Sequence, residues 1–174
     1  LKTKFPDVAE EVDGWDPSSV IAGSTKKMPW ICNEGHRWSS VVKARTKQGQ
    51  GCPYCSNRSV LAGFNDLKTK LPELAKEADG WDPSTVLSGS GKKYFWKCNK
   101  GHRWEASINN RKQGKGCPYC TNKKVLVGFN DLKTRFPEIA KEADGWDPSS
   151  VVAGSNKKFL WKCNRGHSWV TKIC

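Results

Sequence analysis

The sequence predicts a row of small α+β modules in place of one ordinary domain. Two observations carry that expectation: a repeat of about 65 residues, and a change from helical to strand-like hydrophobic spacing halfway through it. Leu71-Pro72-Glu73-Leu74-Ala75-Lys76-Glu77-Ala78-Asp79-Gly80-Trp81-Asp82-Pro83 returns as Phe136-Pro137-Glu138-Ile139-Ala140-Lys141-Glu142-Ala143-Asp144-Gly145-Trp146-Asp147-Pro148. A looser copy runs from Phe5-Pro6 to Trp15-Asp16-Pro17. The repeats divide the chain into modules 1–59, 60–124 and 125–174, and both ends read as cuts through a longer array.

Each module opens with a helical half, taken here from the second copy. Asn65 or Asp66 caps a short helix through Leu71. Pro72 suits the first turn of a second helix, Glu73 to Ala78, with Leu71, Leu74, Ala75 and Ala78 as its buried stripe. Asp79-Gly80 stops that helix, and Trp81-Asp82-Pro83 is a turn anchored by a large aromatic.

The second half is β-like. Ser88 to Lys93 forms a loop, Tyr94 to Lys97 a strand, and Trp104 to Ile108 its return. Asn109 to Lys115 reads as a polar, basic loop. The nine tryptophans fall into three sets of three, and packing a tiny core is their expected role, with base stacking as the alternative.

Between and after these strands lie the residues that carry chemistry. Cys98 and His102 form a C-x3-H pair, Cys117 and Cys120 a C-x2-C pair, and 14 residues separate the two. Three thiols and an imidazole at this spacing suit tetrahedral Zn2+. A glycine before each pair's second half or start, such as Gly101 and Gly116, lets the backbone curl around the sulfurs. Module one offers the matching quartet Cys32, His36, Cys52 and Cys55, with one extra residue before its second pair. Module three offers only Cys163 and His167, and Cys174 aligns with Lys43 and Asn109, so its site is expected to be incomplete. With all four positions held by protein, each complete zinc site is structural. Buried free thiols are the plain alternative, and they leave the matched quartets unexplained.

Modules this short bury little core and need a staple. Disulfides are disfavoured, because each complete module has an odd number of thiols and a His in the fourth place. No signal peptide or bilayer-length apolar run is visible, so a reducing compartment, cytoplasmic or nucleoid/nuclear, is expected. No catalytic constellation is free, since every His is committed to zinc; the expectation is a non-enzyme.

Net charge is +13. Val60 to Pro83 carries three Lys against five acids, a balance of −2, whereas Ser84 to Lys124 carries ten Lys and Arg against Glu105 alone, a balance of +9. Such a face points to an anionic partner, nucleic acid first and an acidic protein second, with a merely solvated face as the bland reading. The candidate contacts are Lys26, Lys27, Arg37 and Arg45 in module one, and Lys92, Lys93, Arg103, Arg111, Lys112 and Lys115 in module two. Module three adds Lys157 and Lys158. Lys47 occupies a similar place.

At these residues the sequence resembles a family of zinc-ribbon, or treble-clef, zinc-finger repeats. The pattern is met by Pro72-Glu73-Leu74-Ala75, Trp81, Pro83, Gly89-Ser90-Gly91-Lys92-Lys93, Trp96-Lys97-Cys98, Gly101-His102-Arg103-Trp104, Arg111 and Gly116-Cys117-Pro118-Tyr119-Cys120. The resemblance implies a zinc-bound tandem module, found in bacteria and viruses and sometimes fused to nucleases resembling very-short-patch-repair endonucleases. The function it favours is nucleic-acid binding, double-stranded DNA first. A protein-interaction scaffold and the targeting region of a larger nuclease stay open as alternatives.

Overall fold

The structure, a computed structural model, describes residues 1–173. In chain order the first repeat holds α1 (Pro6–Glu10), a 3-10 turn (Pro17–Ser19), β1 (Lys27–Ile31), β2 (Arg37–Val41) and α2 (Val42–Thr46). The second holds α3 (Leu67–Lys70), α4 (Pro72–Ala75), a 3-10 turn (Pro83–Thr85), β3 (Lys93–Lys97), β4 (Arg103–Ser107) and α5 (Ile108–Lys112). The third holds α6 (Leu132–Arg135), α7 (Pro137–Ala140), a 3-10 turn (Pro148–Ser150), β5 (Lys158–Lys162) and β6 (Ser168–Lys172). These are small α+β modules, as expected.

The caps explain the helix starts. Asp66 and Asp131 accept hydrogen bonds from the amides of Thr69 and Thr134, both at 2.8 Å. Asp82 does the same for Ser84 at the start of the 3-10 turn. Two expectations need correcting. The second helix ends at Ala75, not Ala78, because Ala78 is drawn into an antiparallel bridge with Trp96. The segment expected as a basic loop starts with a helical turn, α5, whose Asn110 amide is capped by the Ser107 hydroxyl.

Each hairpin is antiparallel and sets two tryptophans opposite one another: Trp30 with Trp38, Trp96 with Trp104, and Trp161 with Trp169. The inner residue of each pair is fully or almost fully buried. It meets the Trp of the preceding turn edge-on, at 5.3 Å for Trp15–Trp30, 5.2 Å for Trp81–Trp96 and 5.1 Å for Trp146–Trp161. Their indole N–H groups are satisfied as well: Trp96 donates to Ala106 O and Trp81 to Phe95 O. Aromatic packing is therefore the local core of every repeat.

Two compact units emerge, Leu1–Lys76 with Asp82–Ser90, and Glu77–Trp81 with Gly91–Cys174. The first combines residues 1–59 with most of the helical half that follows them. In the second, Leu132, Ala140 and Trp161 form a cluster flanked by Trp146, Ala153, Phe159 and Ile173.

Candidate metal centres

Each complete site is built from the tip of a hairpin and a second knuckle. At the hairpin tip the Cys98 amide donates to His102 O and the Gly101 amide to Cys98 O, closing a tight turn. Gly101 sits at φ 82°, the left-handed region where a Cβ would be strained. The second knuckle closes with the Thr121 amide on Cys117 O and the Lys123 amide on Pro118 O. Cys32 and Cys52 to Cys55 repeat this arrangement in the first unit, with the Cys32 amide on His36 O.

The two knuckles bring four ligand atoms together. In each quartet, Cys32–His36–Cys52–Cys55 and Cys98–His102–Cys117–Cys120, all four lie within 4.8 Å of one another. His36 Nδ1 is 3.5, 3.8 and 3.3 Å from the sulfurs of Cys32, Cys52 and Cys55. For His102 Nδ1 the distances to Cys98, Cys117 and Cys120 are 3.6, 3.7 and 3.3 Å. The sulfurs of Cys32 and Cys55 are 3.8 Å apart, those of Cys98 and Cys120 3.9 Å. A tetrahedral zinc with bonds near 2.3 Å to sulfur and 2.0 Å to nitrogen needs edges of about 3.8 Å and 3.5 Å. A disulfide would need about 2.05 Å. Zinc through Nδ1 fits; a disulfide does not.

Protonation agrees with that chemistry. Burial pushes the Cys32 thiol up, but the amides of His36 and Glu34 and the Cys52 and Cys55 thiols hydrogen-bond its sulfur and hold it below the ordinary value. Cys55 goes the other way: loss of water around its sulfur, then hydrogen bonding and charge from Cys52 and Cys32, push it up to about 12. Cys98 is lowered in the same manner, and Cys120 is pushed up to about 11. Three thiols this close cannot all ionise without a cation among them. A divalent ion removes that repulsion and releases the protons.

Packing against the ligands comes from the Gly-Phe-Asn-Asp stretch, whose sequence predicts a helix cap. The Phe64 ring lies 4.1 Å from the His36 ring, and Phe129 4.1 Å from His102. Asn65, only 2% exposed, donates through Nδ2 to Tyr54 O and Ser59 O, both at 2.9 Å. Asn130 donates likewise to Tyr119 O at 3.0 Å and Lys124 O at 2.9 Å. Tyr54 and Tyr119 are the middle residues of the two Cys-Pro-Tyr-Cys knuckles. The signal that finds these residues is the recurrence of Gly-Phe-Asn-Asp at Gly63 and Gly128, where a cap requires only the Asp.

The third repeat shows one ligand pair among the described residues. Cys163 and His167 form the same turn, with the Cys163 amide on His167 O at 3.0 Å. They belong to no group of three ligands among the described residues. Cys174 lies outside the described residues.

Of the twelve basic candidates, ten are exposed: Lys26, Lys27, Arg37, Lys92, Lys93, Arg103, Lys112, Lys115, Lys157 and Lys158. Lys27 and Lys93 stand at the open ends of their hairpins, whereas Arg37 and Arg103 stand at the knuckle ends and pair with Asp13 and Asp79. Arg45 and Arg111 correct the expectation of a surface role. They are 5% and 8% exposed, and each guanidinium lies between two tryptophan rings, Trp30 and Trp38 or Trp96 and Trp104, at 5.1 to 5.3 Å. Arg111 bonds Glu77 at 2.5 Å and Lys115 O at 2.7 Å, and Arg45 bonds Glu11 and Gln50 O in the same way. Their Nε atoms have no hydrogen-bond partner, and the flanking π faces offset that loss. A further basic feature escaped the sequence: a cleft of about 390 Å³ beside Cys120, lined by Lys100, Arg135, Phe129 and Phe136.

Four-ligand sites made from a hairpin tip and a Cys-Pro-Tyr-Cys knuckle make this a zinc-finger repeat protein. The chain belongs to the family described as "Probable Treble clef zinc finger domain", which matches residues 9–58, 71–123 and 138–174. It is also similar to a protein of Escherichia phage T5 named "Putative endonuclease", 26% identical over 103 residues. That match covers 59% of this chain and 35% of the phage protein. No helix among the described residues is long and apolar enough to cross a membrane.

Proposed function

We propose that the chain binds nucleic acid, double-stranded DNA first, through the basic faces of its zinc-stapled halves, and that these modules bind without catalysing. The observation that carries this reading is the segregation of charge. The zinc-bearing half of the second repeat has a balance of +9, and its Lys92, Lys93, Arg103, Lys112 and Lys115 are all exposed. Zinc holds the scaffold, and phosphates are the partner that such a face recognises. Lys100 and Arg135, with Phe129 and Phe136 beside them, extend the face into the cleft next to Cys120. Arg45 and Arg111 are left out of this surface, because their guanidinium groups are committed inside.

Each small face binds weakly, and several on one chain gain from effective concentration. A second reading, the targeting region of a larger nuclease, is favoured by one fact. The phage relative bears an endonuclease name, and this chain corresponds to 35% of it. A scaffold for an acidic protein would use the same lysines.

The test is duplex binding by zinc-loaded protein across a salt series. The expected plot of log affinity against log salt is linear, with a slope near −0.9 for each phosphate contacted. Charge reversal at Lys92, Lys93, Arg103, Lys112 and Lys115 together is expected to lower affinity by at least about tenfold, with the zinc content unchanged. An affinity the variant does not alter removes this surface from the function. A protein partner that survives nuclease treatment and displaces DNA would favour the scaffold.

A further inference from the structure

The family match leaves residues 59–70 and 124–137 between its segments, outside any zinc finger. The structure places the functional core of those stretches against the zinc site that precedes them. We propose that Phe64 and Asn65 are part of the first metal centre, and Phe129 and Asn130 part of the second, so that each zinc site is completed by the opening of the following repeat. The cooperative unit is thus offset from the sequence repeat by half a module.

Three features make this more than proximity. First, the contact is with a ligand: the Phe64 ring sits at 4.1 Å from His36, tilted by 59°, and Phe129 repeats this on His102 at 4.1 Å and 60°. An aromatic face there keeps water from one side of the imidazole and holds its plane. Second, the amide of Asn65 fastens the second knuckle. Its Nδ2 binds the carbonyls of Tyr54 and Ser59, and its Oδ1 accepts from the Leu61 amide at 2.7 Å. Asn57, at φ 54°, adds a side-chain contact at 3.3 Å. Asn130 reproduces the set, with Leu126 and Asn122 in the matching places.

Third, the same residue reaches onward. Asn65 O accepts from the Ser88 amide, and the Leu67 amide donates to Val86 O. Asn130 O and Val151 O serve the Ala153 and Leu132 amides in the other unit. One buried asparagine therefore ties a metal knuckle on one side to a helical half on the other. The first compact unit, which joins residues 1–76 to 82–90, has this composition. His167, which has no such aromatic against it among the described residues, is exposed, while His36 and His102 are half-buried.

The consequence is a linkage. Groups that touch and orient metal ligands typically alter metal affinity by about 10- to 100-fold. If Phe64 and Asn65 favour zinc at the first site by such a factor, zinc must favour closure of residues 61–70 by the same factor.

The test uses the full chain loaded with cadmium-113, whose two sites give separate resonances, and zinc release to a competing chelator. Asn65→Ala and, separately, Phe64→Leu are expected to speed release from the first site about 10- to 100-fold and leave the second unchanged. Asn130→Ala is expected to do the reverse. The reciprocal measurement needs no change to Asn or Phe. Cys52→Ser with Cys55→Ser is expected to speed amide exchange at Leu67 to Leu71 by a similar factor while Leu132 to Phe136 keep their protection. Equal effects on both sites, unaltered release, or unaltered exchange in α3 after loss of the first site would each overturn the proposal. None of these readouts involves nucleic acid.

Discussion

The second and third repeats share a hairpin, but among the described residues only the second has a four-ligand metal site, and the difference separates two kinds of core. Their strands pair in the same register, Trp96 opposite Trp104 and Trp161 opposite Trp169. Their inner tryptophans are equally buried and meet the turn tryptophan at the same edge-on angle of 85°. The outer tryptophans diverge: Trp104 is 7% exposed and Trp169 38%. What covers Trp104 is the guanidinium of Arg111, on the α5 turn that precedes the second ligand pair. The inner core is thus made by the helical half and the hairpin. The outer core is made by the metal knuckle and α5.

The sharpest way to break that division is to remove zinc. Structural zinc contributes folding energy outright, with apparent binding energies of about 10–16 kcal/mol in finger peptides, enough to match a small domain's whole stability. An excess chelator is expected to abolish order around Trp38 and Trp104, read as loss of near-UV dichroism and increased quenching by acrylamide. The Trp146–Trp161 pair is expected to stay folded, opening faster but not melting. Site-resolved indole N–H resonances of Trp104 and Trp161 in the otherwise unaltered chain would resolve the two. Simultaneous loss of both signals would sink the two-core view.

A smaller blow should turn Trp104 into a likeness of Trp169. Arg111→Ala removes the stacked guanidinium and leaves Glu77 without its partner. Breaking a fully buried pair costs about 3–5 kcal/mol; Glu77 keeps 36% exposure, so about 2–3 kcal/mol is expected here. Urea unfolding of the zinc-loaded protein measures the cost. Arg111→Lys should not rescue it, because an ammonium cannot stack and fork at once. The surface variant described above keeps Arg111 and loses the partly exposed Arg103–Asp79 pair, so it should lose less stability than Arg111→Ala.

Much of the metal chemistry is legible in the sequence, and much of the packing is not. The quartets were legible because ligand spacing is local and metal chemistry admits few alternatives. Asp66 was legible as a cap, and Trp81 as a turn anchor, for the same local reason. The helix at Ile108–Lys112 was not, since five residues, four of them polar, are too few to display a 3.6-residue period. Arg111 misled because arginines are seldom buried, and its burial depends on Glu77, 34 residues away. A recurrence could have exposed it: Glu11 and Glu77 occupy matching positions, and so do Arg45 and Arg111, 34 residues further on in each case. Asn65 and Asn130 were hidden by a different barrier. Their partners belong to the previous repeat, and periodicity says nothing about which copy a residue packs against.

The mildest test asks whether the helical halves are alike when their downstream sites are not. Asp131 caps α6, ahead of the incomplete site, and Asp66 caps α3, ahead of a complete one. Burial pushes the Asp131 carboxyl up, but hydrogen bonds from the Thr134 hydroxyl and amide and the Gly128 amide outweigh it and hold the group below the usual carboxylate range. Asp66 is lowered by the matching bonds from Thr69 and Gly63, again against burial. A carboxyl whose folded value is depressed stabilises the fold above its unfolded value of about 3.9. That contribution fades as pH falls through the lower, folded value. Asp66→Ala and Asp131→Ala are therefore each expected to cost about 1–2 kcal/mol at neutral pH, and progressively less below about pH 4. Both caps sit beside a Phe-Asn pair that closes a complete site upstream, so the two costs should agree. A larger loss at Asp66 alone would mean that the downstream metal site, and not the upstream one, governs the helical half.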